Sequence, residues 1–298
     1  MDMSTAPAPE LIKEKKVIVL SYSRSGTLGL YNATEFLGYK TYNMGQVIYN
    51  GYPHLKMFTE ALRIKRTRQS KPYSRSDFDK WIWDYDVRAN PHSPLDKIKN
   101  GMVSPVLHTV YTRQVLTIVP CYLTEEIVKA YPDAKFILAV REPEAWAKSI
   151  WNTISLLRVR AHTFPSSFFK YFDTIDLQFS RLVGLIFETI SRGYGRIEAG
   201  FRAAMEEYEE YNARAMELVP ADRLLVAKLE DGFGWEEICP FLGVDIPTVP
   251  YPRMNDTKQF QANGSKMIQS GRRKAISLMR ALGLLPLAFG TQDVEMPV

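Results

Sequence analysis

The residues best suited to chemistry lie near the start of the chain, in Ser21-Tyr22-Ser23-Arg24-Ser25-Gly26-Thr27. Val17-Ile18-Val19-Leu20 precede them as a short apolar, β-branched run. Leu28, Leu30, Tyr31, Ala33, Thr34 and Leu37 follow at near-helical spacing, with Gly38 placed to end a helix. The pattern predicts a buried strand, a loop and a helix over 27–37. Consecutive backbone N–H groups at a helix N-terminus form a nest for phosphate oxygens, and the helix dipole favours negative charge there. Gly26 permits close approach of an anion, Ser25 and Thr27 carry hydroxyl donors, and Arg24 supplies a planar, permanently charged fork. The plainer reading is a Ser-rich turn that caps a helix. The Gly-x-x-x-x-Gly-Lys-Ser/Thr spacing is absent and no lysine holds the phosphate-gripping position, which disfavours ATP or GTP hydrolysis.

A second group follows another strand. Phe136-Ile137-Leu138-Ala139-Val140 runs into Arg141-Glu142-Pro143, then Trp146 and Ser149. This places Arg141 at the C-terminal end of a parallel strand, where open α/β sheets bind ligands, and Ser149 about two helical turns further on. Alternatively, Arg141 pairs with Glu142 or Glu144 on the surface.

Elements must bring these two groups together. A helix is expected at 124–130, a turn at Tyr131-Pro132-Asp133-Ala134, a strand at 135–140 and a further helix after Pro143. Periodicity gives long helices at 175–190 and 197–218, the latter with Glu206, Glu207, Glu209 and Glu210 on a solvated face. A strand at 224–227, Asp231-Gly232 and a short helix at 235–242 complete the alternation. Strands alternating with helices imply an α/β fold, a mainly parallel sheet with helices on both faces. Residues 88–115 lack a sustained period and read as an insertion, either a functional lid or a poorly ordered loop.

The chain has 298 residues, 46% of them apolar, enough for one sizeable core and hence one domain over 1–298, with disorder expected at 1–12. Net charge is +5 and the pI about 9.0, suited to an anionic ligand but too mild and dispersed to argue for nucleic acid. Cys121 and Cys239 are the only cysteines, and they form no metal or disulfide pattern, so a reducing, cytoplasmic setting is expected. The first ten residues lack the apolar stretch of an export signal. Residues 275–289 are apolar with a helical rhythm but shorter than the roughly 20 residues of a transmembrane span; they predict a terminal helix packed on the domain or lying at an interface.

Ser23-Arg24-Ser25-Gly26-Thr27 resembles the 5′-phosphosulfate loop of sulfotransferases, Pro-Lys/Arg-Ser/Thr-Gly-Thr/Ser, with Ser23 in place of the Pro. The 136–149 segment resembles that family's strand ending in Arg-Asp/Asn-Pro with a Ser eight residues after the Arg. Further similarity covers Asp231-Gly232-Phe233-Gly234-Trp235, then Cys239-Pro240-Phe241-Leu242-Gly243 and Pro250-Tyr251-Pro252-Arg253-Met254-Asn255-Asp256. The chain is similar to a sulfotransferase-like branch common in fungi and other eukaryotes. The resemblance implies a P-loop-type nucleotide-binding fold, 3′-phosphoadenosine 5′-phosphosulfate as co-substrate, a small-molecule hydroxyl as acceptor and no metal. Ser23, Arg24, Ser25, Gly26 and Thr27 would hold the phosphosulfate, and Arg141 and Ser149 the 3′-phosphate.

The family pattern breaks at the base. Relatives carry Asp two residues before a Pro-Cys pair, and Ile118 stands there before Pro120-Cys121. Isoleucine cannot accept a proton. His108 and Asp86 are the replacement bases considered first; His92 is a further choice, and His54 and His162 are weaker ones. The 88–115 segment supplies that base as a lid, or disrupts the acceptor site, or is an artefact of gene prediction. A nucleotide-binding protein without catalysis is the alternative function. Tyr49, Tyr52, Trp81, Trp83 and Tyr85 are candidates for an apolar acceptor pocket or for core.

Overall fold

Residues 15–67, 71–83, 114–116, 120–253 and 270–283 are described by the structure, a computed structural model. Among them five strands form one sheet: β1 (Lys15–Val19), β2 (Lys40–Tyr42), β3 (Gln114–Leu116), β4 (Lys135–Val140) and β5 (Leu224–Lys228). Their order is β2-β3-β1-β4-β5 and every pairing is parallel. The α/β class and the parallel sheet are therefore as the sequence pattern implies. Because side chains alternate along a strand, β1 sends Val17 and Val19 into one core and Ile18, with Leu20 beyond its end, into another.

Each core is closed by helices. On one face lie α1 (Thr27–Phe36) and α11 (Trp235–Leu242), which contribute Leu30, Ile238 and Leu242. On the other lie α3 (Tyr52–Thr67), α5 (Thr124–Ala130), α6 (Pro143–Trp151), α9 (Thr174–Ile190) and α10 (Glu198–Leu218), with Phe58, Ile127, Trp146, Leu182 and Tyr208 buried. Shorter pieces link these: α2 (Met44–Tyr49), α4 (Arg75–Trp83), α7 (Ile154–His162) and α8 (Ser166–Phe169). The last helix among the described residues is α12 (Ser270–Ala281).

Four expectations need adjustment. First, β2 and β3 went unseen because three residues are too few for a period-2 signal. Second, Gln114 and Val115, at the end of the expected insertion, belong to β3 and lie between β2 and β1. Third, α12 begins at Ser270 rather than at 275, and Gly283 at φ 69° follows its end and donates its amide to the Arg280 carbonyl; residues 284–289 lie outside the described part. Fourth, the acidic face of α10 is only partly solvated. Glu206, Glu207 and Glu210 gather around Arg192, at 3.4, 3.3 and 2.6 Å, and Glu207 is turned inward with 17% of its side chain exposed.

The start of α9 carries a buried acid. Asp173 caps the helix, accepting from the amides of Ile175 and Asp176, and its other oxygen meets Lys274 of α12 at 2.9 Å. Asp176 is buried without a well-formed hydrogen bond to its carboxylate. Burial pushes its pKa up to about 6; Asp173 adds to the rise, while the Gly271 amide, Ser180 and Lys170 oppose it. The unfolded value is 3.8, so folding takes up protons between the two, and this group's contribution to stability is lost as pH rises from about 4 to about 6. Asp176→Asn should therefore stabilise the protein more near neutral pH than near about pH 4, read as the difference in thermal midpoint between variant and parent at each pH. Equal differences at both would remove Asp176 from the pH dependence.

Candidate functional site

β1 and β4 are neighbours in parallel register, with Val19 beside Ile137, so the chain leaves both at the same edge of the sheet. The 21–27 loop and Arg141 meet there for that reason. Two bonds hold the loop down at its start: Leu20 N–H donates to the Ile137 carbonyl at 2.9 Å, and the Ala139 amide donates to Ser21 Oγ at 2.6 Å. Ser21 is fully buried and has a structural place.

The next residues turn sharply. Arg24 has φ 74° and Gly26 φ 81°, both left-handed, and between them the Ser25 amide donates to the Tyr22 carbonyl at 3.3 Å. Gly26 is the N-cap of α1 and offers no side chain to its orphan amides; the first bond of the helix is Leu30 N–H to the Gly26 carbonyl. A Cβ on Gly26 would be strained by that φ and would stand 3.1 Å from Leu229. One turn on, a Cβ on Gly29 would stand 2.7 Å from the Pro252 carbonyl. The Gly232–Gly234 and Pro250–Arg253 stretches thus clasp the start of α1 from outside.

The loop's carbonyls face donors. Trp146 Nε1 donates to the Ser23 carbonyl at 2.9 Å, and an Arg141 guanidinium N–H donates to the Arg24 carbonyl at 3.3 Å. Arg24 Nε donates to Ser149 Oγ at 2.9 Å. Arg24, Arg141 and Ser149, expected from two separate motifs, therefore form one cluster. Burial, and next the nearby charge of Arg141, lower the pKa of Arg24. The two half-buried guanidiniums lie close enough for their like charges to repel, which is why Arg141 is among the causes of the lowered Arg24 pKa. Arg141 does not pair with Glu142 or Glu144: its carboxylate neighbour is Glu230, at 3.8 Å. Glu142 instead caps α6, accepting from the Glu144 and Ala145 amides.

Ser25 differs from expectation. It is fully buried, and its Oγ lies 2.9 Å from the Tyr208 hydroxyl, away from the mouth of the loop. The same Tyr208 hydroxyl accepts from the Arg141 amide at 3.0 Å, so one phenol ties the two motifs together. Thr27 is buried in the first turn, and Ser23 and Gly26 are partly exposed. Below the loop, Tyr22 packs among Tyr122, Trp146, Tyr208 and Tyr211, while Trp146 stacks on Tyr208 with centroids 4.2 Å apart. Sequence reasoning missed Tyr208 and Tyr211. The signal was their spacing with Ala204 and Ala215 on α10, which the surrounding acids obscured.

Beyond Tyr22 opens a cavity of about 430 Å³, lined by Tyr22, Leu62, Cys121, Tyr122, Thr189 and Glu207 among others. Glu207 reaches toward the Tyr22 hydroxyl, 3.5 Å away. Of the residues considered as bases, His108, Asp86 and His92 lie outside the described part, as does Ile118. His54 is buried, its Nδ1 2.6 Å from the Tyr42 hydroxyl, which in turn accepts from Trp81 Nε1 at 3.0 Å; this is a structural chain, and Trp81 is core. His162 is exposed, with Nδ1 2.9 Å from the Arg158 carbonyl. Tyr49 and Tyr52 are exposed on their helices.

A family model described as a sulfotransferase domain matches residues 16–95 and 106–260, which narrows the unmatched stretch inside the expected insertion to 96–105. The chain is 29% identical, over 245 residues that span 80% of each sequence, to Ava biosynthesis cluster protein M of Aspergillus versicolor. The crystal structure of a sulfotransferase from Alicyclobacillus acidocaldarius aligns with 90% of this chain and 96% of its own, at 13% identity and a TM-score of 0.39.

Tyr208→Phe keeps the ring stack and removes the hydroxyl that joins Ser25 to the Arg141 amide. Two buried polar groups then lose their partner, so the variant should be less stable by about 1–3 kcal/mol in urea unfolding. A change within error would show that the bridge is not needed to hold the motifs together.

Proposed function

The chain belongs to the sulfotransferase family, and from that premise we propose that it transfers a sulfonate group from 3′-phosphoadenosine 5′-phosphosulfate to a hydroxyl of a small molecule. The observation that carries this reading is the meeting of Arg24, Arg141 and Ser149 at the uncapped N-terminus of α1. The backbone of Ser23, Gly26 and Thr27 faces the 5′-phosphosulfate in this reading, while the Ser25 amide donates to the Tyr22 carbonyl within the turn. The Ser25 hydroxyl supports the loop from inside. Arg141 and Ser149 hold the 3′-phosphate. Arg24 stands between the two, since its guanidinium touches Ser149 while its backbone is part of the 21–27 loop.

In the reaction the acceptor oxygen attacks sulfur, the bond from sulfur to the phosphate oxygen breaks, and 3′,5′-adenosine bisphosphate leaves with the charge. Fixed guanidiniums and helix amides stabilise that charge without reorganising. The acceptor belongs in the cavity beyond Tyr22, whose volume and aromatic floor suit a small organic molecule. Its proton goes to His108 or Asp86. A cytoplasmic place of action is part of the proposal, supported by the two free cysteines, both buried. Ile118 favours a second reading, a nucleotide-binding protein without turnover.

Calorimetry with 3′,5′-adenosine bisphosphate tests the nucleotide shell apart from the base. Arg24→Ala should weaken binding by about 1.5–3 kcal/mol, the range for hydrogen bonds to charged groups. Arg141→Ala and Ser149→Ala should weaken that ligand much more than adenosine 5′-phosphate, which lacks the 3′-phosphate. Unchanged affinity in the Arg24 variant would sink the assignment of the loop, and equal losses for both ligands would sink the 3′-phosphate role.

The acceptor side is read by turnover against a panel of phenols and alcohols. His108→Ala, or Asp86→Asn if His108 is silent, should lower turnover by about 10²-fold or more with nucleotide affinity intact. Thr189→Trp, at the cavity wall, should raise the acceptor KM by about tenfold or more, the effect of about 1.4 kcal/mol of lost fit. Normal nucleotide binding with no turnover in the parent would favour the second reading.

A further inference from the structure

The chain contains two long stretches with no acid. Residues 145–172 hold Lys148, Arg158, Arg160 and Lys170 but no Asp or Glu. Residues 257–292 hold Lys258, Lys266, Arg272, Arg273, Lys274 and Arg280, again with no acid. The described parts of these stretches pack on one another. A Cβ on Gly271 would stand 2.3 Å from the Phe169 carbonyl, so the first turn of α12 lies directly on the backbone of α8. Lys274 meets Asp173, just past the 3₁₀ turn Lys170–Phe172.

The surface beside this junction is aromatic. Phe164 is 76% exposed, Tyr171 67%, Phe168 54% and Phe172 38%. The rings of Phe168, Phe169 and Phe172 cluster with centroids 5.4–6.4 Å apart, so they form a patch rather than scattered residues. Single exposed apolar residues are ordinary, but a contiguous aromatic patch marks an interaction surface. Lys170 Nζ stands 5.8 Å from the Tyr171 ring centroid. Arg272, Arg273 and Lys274 are exposed on the adjoining helix, and its far end presents Leu278 and Leu282, 49% and 63% exposed. The chain then continues as Leu284-Leu285-Pro286-Leu287-Ala288-Phe289.

Exposed rings beside the exposed guanidiniums of Arg272 and Arg273, in two stretches without an acid, match the two faces of a bilayer interface: the boundary of the acyl chains and a layer of anionic headgroups. A protein partner of ordinary composition would not call for so long an exclusion of acids. Among the described residues no helix is long and apolar enough to cross a membrane, so such contact would be peripheral. We infer that the patch of Phe164, Phe168, Tyr171 and Phe172, with Arg272 and Arg273 beside it, docks the protein on an anionic lipid surface. The patch shares no residue with the proposed nucleotide cluster, so docking and nucleotide binding are independently testable.

Sedimentation of the full chain with vesicles tests this. The parent should pellet with vesicles of phosphatidylcholine and phosphatidylserine, much less with phosphatidylcholine alone, and less at high salt. Arg272→Glu with Arg273→Glu should weaken binding by about 25-fold or more, about fivefold for each basic residue near the surface. Acids suit the first turn of a helix, so that variant should fold. Phe164→Ser with Phe168→Ser removes the apolar contact at exposed positions and should also release the protein. Both variants should keep the parent's circular dichroism melt and its affinity for 3′,5′-adenosine bisphosphate. Binding to neither vesicle, or equal binding to both that survives the arginine reversal, would overturn the inference. So would a concentration-dependent dimer in light scattering that the phenylalanine variant abolishes while the parent ignores vesicles; that result would assign the patch to a second copy of the chain.

Discussion

Parallel pairing of β1 with β4 is the constraint on which the site depends. Val17, Ile18 and Val19 lie beside Lys135, Phe136 and Ile137, and the chain leaves both strands at one edge of the sheet. Sheet order makes this edge a switch point: from β1 the chain runs out to β2, returns to β3 on the same side, and then crosses to β4 on the other. The loops after β1 and β4 lead into helices on opposite faces of the sheet, α1 burying Leu30 in one core and α6 burying Trp146 in the other. Arg24 and Arg141, far apart in sequence, become neighbours because of this order of strands.

Two like charges held together need a support that keeps them from swinging apart. It comes from below, where Tyr22 fills the space among four other aromatic rings and the Trp146 indole donates to the Ser23 carbonyl. Stacking of Trp146 on Tyr208 links α6 to α10, and the Tyr208 hydroxyl bonds to groups on both loops. The left-handed turns at Arg24 and Gly26 rest on this layer, and the strain of the non-glycine Arg24 is balanced by the bonds that hold the loop. Glycine is required at Gly26 for its conformation and at Gly29 for the close approach of Pro252.

The far side of Tyr22 lines a cavity. One ring thus belongs both to the 21–27 loop and to the cavity wall, and Glu207, bound by Arg192 and approached by Arg214 at 4.0 Å, lines the same space. Away from this region the surface is uneven in charge: acids of α10 crowd around Arg192, while the α8–α12 junction has aromatics and basic groups. A modest net charge of +5 hides that separation.

Much of this was legible in the sequence. The apolar runs at 17–20 and 136–140 and the helical spacing after each fixed β1, β4, α1 and α6, because hydrophobic periodicity is local and each element buries a predictable face. Motif spacing also named Arg24, Arg141 and Ser149. It did not reveal that Arg24 reaches Ser149, that Ser25 turns inward to Tyr208, or that Glu207 leaves the solvated face of its helix. The short strands β2 and β3 escaped for another reason: their pairing is set by neighbours rather than by their own three residues. Sequence by itself determined the strands, loops and helices that carry a strong local pattern, such as β1, α1, β4 and α10. Only the tertiary structure decided which side chains meet, because those contacts depend on strand order and helix rotation, which arise from packing across distant parts of the chain.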